Sequence, residues 1–417
     1  MTLFSLALKS AWSRKGSLLL ATLSITISAA LLLGVDTLRQ EAKKSFLNTL
    51  ADTDLIVGAR SGPVNLLLYS VFHIGNATNN IDYQTYQTLR KMPEVKWAVP
   101  LSLGDSHRGF RVIGTLPDFY QHYRYGHDQP LVFQTGQAFS DLYDVVLGAK
   151  VAQKYGYRIG DPIVLSHGVS SGHLAPKHDD KPFQVSGILA VTGTPVDNSL
   201  QVSLDAIEAI HIDWRSGMPS PLKIPAEQAR RLIGEPQTVT AVMVGLKNKL
   251  TTFKMQRRLN EFKDEPLLAI LPGATLASLW QIIAPFEKAL LAVASLVLVA
   301  GLVGMLITLL STLKERRHEI AVLRAIGIHG YDVLILFALE AFFILLLGTA
   351  SGLVILVGGL TALAPYLAEH YGLFIQVGWP SLQQWGYIGL AWGLGVLISL
   401  IPGIMAYRTH LTQGLSR

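Results

Sequence analysis

The chain has 417 residues, and 15% of them are charged, against about 25% in a typical soluble domain. Half of the residues are hydrophobic, and they concentrate in four long stretches with almost no charge, which excludes a wholly soluble protein. The lack of cysteine excludes a disulfide framework, a cysteine-based metal site and a thiol nucleophile. The net charge of +6 is attributed to Lys and Arg beside anionic lipid, and not to nucleic-acid binding.

The hydrophobic stretches predict four membrane-spanning helices in a one-plus-three order. Each stretch is long enough, at about 1.5 Å per residue, to cross a hydrocarbon core of about 30 Å. Residues 1–15 mix apolar and polar positions, as an amphipathic helix on the cytoplasmic membrane surface does. The predicted spans are 16–37, 285–313, 333–363 and 385–407.

The distribution of basic residues predicts the orientation. The connector 314–332 contains Lys314, Arg316, Arg317 and Arg324, whereas the short loop 364–384 contains no Lys or Arg. Because short basic loops stay on the cytoplasmic side, we expect the connector and both termini, including the tail 408–417, to be cytoplasmic. The predicted location is the bacterial inner membrane, with residues 38–284 on the periplasmic side.

Residues 38–284 are predicted to form an α+β domain inserted between the first two spans, because strand-like and helix-like segments alternate there. Its two ends, 38–50 and 280–288, are expected to continue the spans as a helical stalk, and 157–165 to be a turn into a strand. The predicted strands are 54–57, 95–99, 109–115, 145–147, 183–192 and 239–246, and the predicted helices are 81–92, 149–155 and 252–263. The fold class is therefore an α-helical membrane protein with a large α+β domain.

One apolar segment, PVNLLLYSVFHI at 63–74, lies between two glycines. We favour a buried element of the domain core. The alternative is a loop close to the bilayer that contacts lipid or a hydrophobic cargo. The contact residues would then be Leu66, Leu67, Leu68 and Phe72.

A second segment, 166–182, contains His167, His173 and His178. Imidazole is a good zinc or copper ligand, but the spacing matches no fixed ligand motif, and Gly, Ser and Pro favour a flexible loop. We therefore favour a solvated polar loop, with metal binding as the alternative. A membrane metallohydrolase is disfavoured because the sequence has no paired-ligand helix motif such as HExxH.

The connector begins as a charged continuation of the second span. A stop-transfer collar would explain the charges of the connector, but not the apolar positions that follow at helical spacing. Gly327 can end this helix. The polar positions include Glu315, Arg316, Glu319 and Arg324, and the ridge is formed by Ile320, Leu323 and Ile326/Gly327.

The connector segment ERRHEIAVLRAIG resembles the signature of FtsX-like permeases. These form the MacB–LolC-type branch of ABC transporters, also called mechanotransmission or type VII transporters. LEAFFILLLGTASG (339–352) is similar to the family's third span. VVLGAKVAQKYGYRIGDPIVL (145–165) and FQVSGILAVTGTPVD (183–197) are similar to its periplasmic core. The resemblance covers most of the chain and its span order.

The resemblance implies a permease that pairs with a second copy or a paralogue and with a cytoplasmic ABC ATPase dimer. ATP and Mg²⁺ would be bound by that ATPase, since this chain has no G-x-x-x-x-G-K-[ST] motif; the chain itself is expected to bind no cofactor and not to be an enzyme. Lipids and a periplasmic or lipoprotein partner are further expected partners. The residues implied to dock on the ATPase are Glu315, Arg316, Glu319, Ile320, Leu323, Arg324 and Gly327.

The implied function is extraction or export of a periplasmic or membrane substrate, driven by motion of the periplasmic domain. The alternative is an FtsX-like scaffold that switches a periplasmic hydrolase without transport. Within the membrane, Glu340 is expected to face a partner helix or to be protonated. Small residues that allow close helix contact are Gly348, Gly352, Gly389 and Gly393.

Overall fold

The computed structural model describes residues 15–47, 49–126, 128–168, 178–215, 218–219, 224–325, 329–371 and 378–408. It contains two compact units. The membrane unit is drawn from Met1–Ala42, Ile283–Tyr366 and Ile375–Arg417, and Leu367–Phe374 groups with the second unit. The insert domain contains Lys43–Ile282.

The helices and strands alternate through the insert domain, and long helices dominate the membrane unit. The helices are α1 (Lys15–Leu47), α2 (Pro63–Ser70), α3 (Tyr83–Arg90), α4 (Asp118–His122), α5 (Ala149–Tyr155), α6 (Leu204–His211), α7 (Ala226–Leu232), α8 (Thr252–Asn260), α9 (Pro272–Ala325), α10 (Gly330–Tyr371) and α11 (Leu382–Arg408). The strands are β1 (Leu55–Ala59), β2 (Ile81–Asp82), β3 (Val95–His107), β4 (Phe110–Thr115), β5 (Arg124–Tyr125), β6 (Gln129–Pro130), β7 (Phe133–Gly136), β8 (Asp144–Leu147), β9 (Pro162–Ile163), β10 (Ser166–His167), β11 (Phe183–Leu189), β12 (Ser199–Ser203), β13 (Trp214–Arg215), β14 (Met218–Pro219), β15 (Thr238–Val239), β16 (Ala241–Leu246) and β17 (Leu267–Ile270).

Four of the described helices, α1, α9, α10 and α11, are long and apolar enough to cross a membrane. The predicted one-plus-three order with an α+β domain after the first span is confirmed. Every helix runs past the hydrophobic stretch that predicted it. In particular, α9 continues without a break from Pro272 to Ala325 and so includes the second expected stalk end, 280–288, and most of the connector.

The membrane unit has its own apolar core and a large apolar surface. Ile25, Met305 and Phe337 are completely buried among the helices. Other large apolar side chains of the same helices, such as Leu296 and Val354, are mostly exposed. A helix surface that is apolar on all sides is suited to lipid or to partner helices.

The insert domain is built on an eleven-stranded mixed sheet in the order β17-β1-β16-β3-β4-β12-β8-β11-β7, with β10 pairing β3 and β9 pairing β11. Strand β16 lies between β1 and β3, and all of its side chains are buried. Its near-continuous apolar run fits a strand that is covered on both faces. Apolar clusters cover the sheet on both sides.

Strand β3 is longer than the predicted 95–99 and contains an irregularity. Leu103 pairs with Ile113 of β4, and Ser106 pairs with Arg111. Two residues of β3, Gly104 and Asp105, therefore face a single residue of β4. Such a bulge bends a strand and changes the direction of its side chains.

The apolar segment 63–74 begins with helix α2. Pro63 occupies the first helical turn, where its missing N–H costs nothing. Leu66 and Leu67 are completely buried in the core, which agrees with the favoured prediction of a buried element; the alternative, that these two residues contact lipid or cargo, is wrong. Leu68 is partly buried, and Phe72 stacks on Phe46 with ring centroids 4.9 Å apart.

The segment 157–182 differs from both sequence predictions. The expected strand over 157–165 is reduced to β9. The solvated-loop prediction is wrong for His178, which is completely buried. His167 belongs to the short strand β10, and its side chain is 37% exposed. His173 lies outside the described residues, as do residues 1–14.

Candidate functional site: a buried histidine–aspartate cluster

Four ligand-type side chains from four separate segments meet in the insert domain. They are Asp105 of β3, His167 of β10, His178 and His211 at the end of α6. One nitrogen or oxygen atom from each lies within 4.8 Å of the corresponding atoms of the others. The Asp105–His167–His178–His211 group is called the histidine cluster below.

Backbone geometry places each member of the cluster. Asp105 lies in the bulge of β3, and the register of β10 puts His167 directly opposite it. The backbone N–H of His178 donates to the Leu165 carbonyl at 2.9 Å. Helix α6 begins at Ser203, whose side chain accepts from the Ala206 N–H, a standard N-terminal cap.

A buried ion pair fastens the segment that carries His178. Lys181 is completely buried, and its ammonium lies 2.9 and 3.0 Å from the two carboxylate oxygens of Asp213 and 2.6 Å from Asp180. Asp213 also accepts from the backbone N–H of Ile224 at 3.0 Å. The pair joins the chain that follows His178 to the turn that follows His211.

The distances within the cluster centre on one carboxylate oxygen. Asp105 Oδ1 lies 3.3 Å from His167 Nδ1, 3.4 Å from His211 Nε2 and 3.8 Å from His178 Nε2. His167 Nδ1 and His211 Nε2 are 3.0 Å apart. The four atoms therefore surround a common point.

Burial makes this arrangement costly for the groups involved. Asp105 is 1% exposed and His178 is 0% exposed. Among the described residues, neither oxygen of Asp105 and neither ring nitrogen of His178 has a hydrogen bond of acceptable geometry. Buried polar atoms nearly always have a partner, so four such atoms in one place require an explanation.

Neighbouring groups orient the imidazole rings. The carbonyl of Ile207 lies 2.8 Å from His211 Nδ1. A carbonyl can only accept, so Nδ1 carries a proton, and in the neutral ring Nε2 presents its lone pair to the cluster. The indole ring of Trp214 packs against the rings of His167 and His178, with centroids 4.8 and 4.6 Å apart.

The protonation equilibria reflect the close contact of opposite charges. Burial opposes ionisation of Asp105, but its contacts with His167, His178 and His211 outweigh burial and hold the pKa of the carboxyl far below its ordinary value. For His211, burial lowers the pKa, yet the Asp105 carboxylate raises it by more. The cluster therefore favours a carboxylate surrounded by groups that can bear positive charge.

Sequence reasoning found only part of this cluster. It identified His167 and His178 as weak metal candidates but missed Asp105 and His211, and it added His173. The members are far apart in sequence, and only the β3 bulge and the β10 register bring them together. No local spacing pattern exists that could have indicated them.

The predicted coupling residues lie at the end of α9. Of these residues, Glu315 is exposed, as are His318 and Val322, which were not among the predicted residues. Ile320 is only 6% exposed and belongs to the core of the membrane unit, so its assignment to an ATPase-contacting ridge is corrected. Gly327 lies outside the described residues, as do the side chains of Arg316, Glu319, Leu323 and Arg324.

The predicted intramembrane residues differ in their surroundings. A Cβ on Gly348 would lie 2.7 Å from Ile25, and one on Gly352 would lie 2.9 Å from the Thr26 carbonyl oxygen, so both glycines lie against α1. For Gly389 and Gly393 no described atom lies within 4 Å of such a Cβ, and these two glycines do not serve helix packing within the described chain. Glu340 is partly buried and has an interaction partner.

Four membrane-type helices in one-plus-three order, with a large α+β domain after the first, define a multi-pass membrane protein with an inserted domain. Comparison with known families gives two matches that cover both units. Residues 18–262 match the MacB-like periplasmic core domain, and residues 291–411 match the FtsX-like permease C-terminal domain. The chain therefore belongs to the family of MacB/FtsX-type ABC transporter permeases.

Similar proteins include an uncharacterised ABC transporter permease of Methanocaldococcus jannaschii, 28% identical over 234 residues. That match covers 55% of this chain and 52% of the relative, so the chain spans about half of the relative's length. The periplasmic region of MacB from Actinobacillus actinomycetemcomitans matches 57% of this chain and 94% of its own, at 10% identity and a TM-score of 0.34. The extracellular domain of the noncanonic ABC-type transporter YknZ from Gram-positive bacteria matches 52% of this chain and 99% of its own, at 14% identity and a TM-score of 0.27.

Proposed function

We propose that this chain is the transmembrane subunit of an inner-membrane ABC transporter whose ATPase is a separate cytoplasmic dimer. ATP hydrolysis there would move the insert domain and so extract or export a periplasmic or membrane substrate. The observation that carries this proposal is the presence of both family matches, residues 18–262 and 291–411, on one chain. ATP and Mg²⁺ would be bound by the ATPase.

Helix α9 is the proposed link to the ATPase. It includes the second membrane span and continues as one helix through most of the connector to Ala325. Because a helix is stiff over such lengths, force applied to the connector would be carried into the membrane. Glu315 and Val322 are exposed there and offer one charged and one apolar contact, while buried Ile320 holds the helix in the membrane unit.

A double substitution in the connector tests the proposed coupling. In Glu319→Arg/Leu323→Ala, one charge is reversed and one apolar side chain is truncated where docking is proposed. Each important interface residue contributes about 2 kcal/mol or more, roughly 30-fold in Kd. We expect the variant to insert normally but to lose binding and stimulation of the cognate ATPase, measured by pull-down and by ATP hydrolysis in nanodiscs.

The matched control makes the same two changes elsewhere. Glu261→Arg/Leu250→Ala alters an exposed glutamate and a leucine that is 90% exposed, both in the insert domain. This control should retain full ATPase stimulation. Wild-type stimulation by the connector variant would refute the docking role. A cell-wall hydrolase, rather than a lipid or lipoprotein, co-purifying with the wild-type complex would contradict transport.

The proposed orientation is testable because the natural sequence has no cysteine. Leu250→Cys and Glu315→Cys each introduce a single thiol at an exposed position. The basic connector predicts that Glu315 is cytoplasmic. The loop 364–384, which has no Lys or Arg, is predicted to lie on the opposite side of the membrane, together with the insert domain that contains Leu250. In cells with a permeable outer membrane, an impermeant maleimide should label Leu250→Cys at once and Glu315→Cys only after lysis. The reverse labelling pattern would invert the topology.

A further inference from the structure

We propose that Asp105, His167, His178 and His211 form a zinc site that closes four segments of the insert domain around one ion. The proposal rests on the insert domain alone and is independent of coupling to an ATPase. The ligand atoms are one oxygen of Asp105, Nδ1 of His167, and Nε2 of His178 and His211.

Four of the six distances between the ligand atoms are close to those of tetrahedral coordination, and all six lie within 4.8 Å. Zinc bonds to imidazole nitrogen and carboxylate oxygen are about 2.0–2.2 Å long, which makes the edges of a tetrahedron about 3.3–3.6 Å. The distances from Asp105 Oδ1 to His167 and His211, 3.3 and 3.4 Å, match such edges. The 3.0 Å and 3.8 Å edges need shifts of only a few tenths of an ångström.

The donor set selects the class of ion. Three imidazoles and a carboxylate suit zinc, whereas Mg²⁺ and Ca²⁺ prefer oxygen ligands. Four protein ligands complete a tetrahedron and leave no position for a reacting water, which is the pattern of structural zinc sites. The bond from His211 Nδ1 to the Ile207 carbonyl is the outer contact that metal-bound histidines typically make.

A hydrogen-bonded network without metal explains the cluster less well. It accounts for the contact between His167 and His211 at 3.0 Å. It leaves both oxygens of Asp105 and both ring nitrogens of His178 buried without a hydrogen bond among the described residues. A zinc ion would engage an oxygen of Asp105 and Nε2 of His178 together.

The site has a structural role in this arrangement. Its ligands come from the bulge of β3, from β10, from the segment fastened by Lys181 and from the end of α6. One ion would therefore join the paired strands β3 and β10 to the segment that carries His178 and to the end of α6.

Zinc titration of the full chain tests the proposal. The protein is purified in detergent with a tag that contains no histidine, stripped with a chelator and titrated with Zn²⁺ against a competing dye. We expect one zinc per chain and a thermal midpoint that rises with zinc. His211→Ala and His167→Ala should weaken zinc binding by at least about 10–100-fold, because mutating a residue that only hydrogen-bonds to a metal ligand already costs that much. His122→Ala, which removes a histidine stacked on Trp97 outside the cluster, should bind like wild type.

Two further measurements keep the outcome decisive. The His167 side chain is 37% exposed, so His167→Ala should fold even if a variant of buried Asp105 does not. Co²⁺ in place of zinc should give the intense visible bands of tetrahedral coordination, lost in His167→Ala. Three results would each overturn the proposal. They are binding of less than one zinc per wild-type chain, an unchanged zinc affinity in both histidine variants, and an octahedral cobalt spectrum.

Discussion

Lys181→Met is expected to destabilise the insert domain by about 3–5 kcal/mol, because it leaves a buried carboxylate without its cation. The Lys181 ammonium contacts both oxygens of Asp213, whose side chain is only 5% exposed. Methionine fills a similar volume but cannot neutralise the charge. The measurement is the midpoint of urea unfolding of the detergent-solubilised chain, followed by tryptophan fluorescence.

An exposed ion pair of better geometry provides the control. Arg230 binds Asp141 through two hydrogen bonds of 2.7 and 2.8 Å, but the two side chains are 37% and 50% exposed. Water screens such a pair, so Arg230→Met should cost at most about 1 kcal/mol. Equal losses in Lys181→Met and Arg230→Met would show that burial does not determine the contribution of the lysine.

A second substitution and the pH dependence separate charge from packing. Asp213→Asn in the Lys181→Met background removes the unpaired charge but keeps an acceptor for the Ile224 N–H, so we expect it to recover much of the stability. Burial opposes ionisation, but the Ile224 N–H and the Lys181 ammonium hold the pKa of Asp213 below its ordinary value. A lowered carboxyl pKa stabilises the fold above the unfolded-state value of about 3.9 and ceases to do so as the pH falls through the folded-state value. The difference between wild type and Lys181→Met should therefore narrow in acid.

The features predicted correctly from the sequence are those that depend on neighbouring residues in the chain. A run of apolar residues long enough to cross a bilayer is visible in any window, so the four membrane helices were predicted. Helix α5 was predicted over the residues where it forms; in the structure Gly156 ends it in a left-handed conformation at φ 69°. The predicted spans 16–37 and 285–313 are shorter at both ends than helices α1 and α9, because a hydrophobic stretch marks the membrane segment and not the helix ends.

The features that were missed depend on contacts between distant segments. The bulge at Gly104 and Asp105 follows from pairing with β4, and the pairing of His167 with Asp105 requires the fold to be known. The same holds for Ile320, whose helical spacing with other apolar residues indicated a surface ridge, although the membrane unit buries it. Periodicity identifies an apolar face but not its partner.

Helix α2 provides the second large expected effect. Leu66→Ala should destabilise the insert domain by about 2–5 kcal/mol, because it removes a completely buried leucine from a packed core. The Leu66 Cδ1 atom lies 2.7 Å from the position that a Cβ on Gly58 would occupy, so the side chain lies directly on the backbone of β1. The same urea-unfolding midpoint measures this loss.

Leu68 is the matched comparison, since it lies in the same helix, carries the same side chain and is only partly buried. A lipid- or cargo-contacting segment would lose membrane or cargo binding in Leu66→Ala with little change in stability, because exposed leucines contribute little to the fold. A core helix gives the opposite result: Leu66→Ala lowers the unfolding midpoint well below that of Leu68→Ala. Equal, small losses in both variants would restore the surface interpretation of residues 63–74, since only exposed side chains can be truncated without creating a cavity.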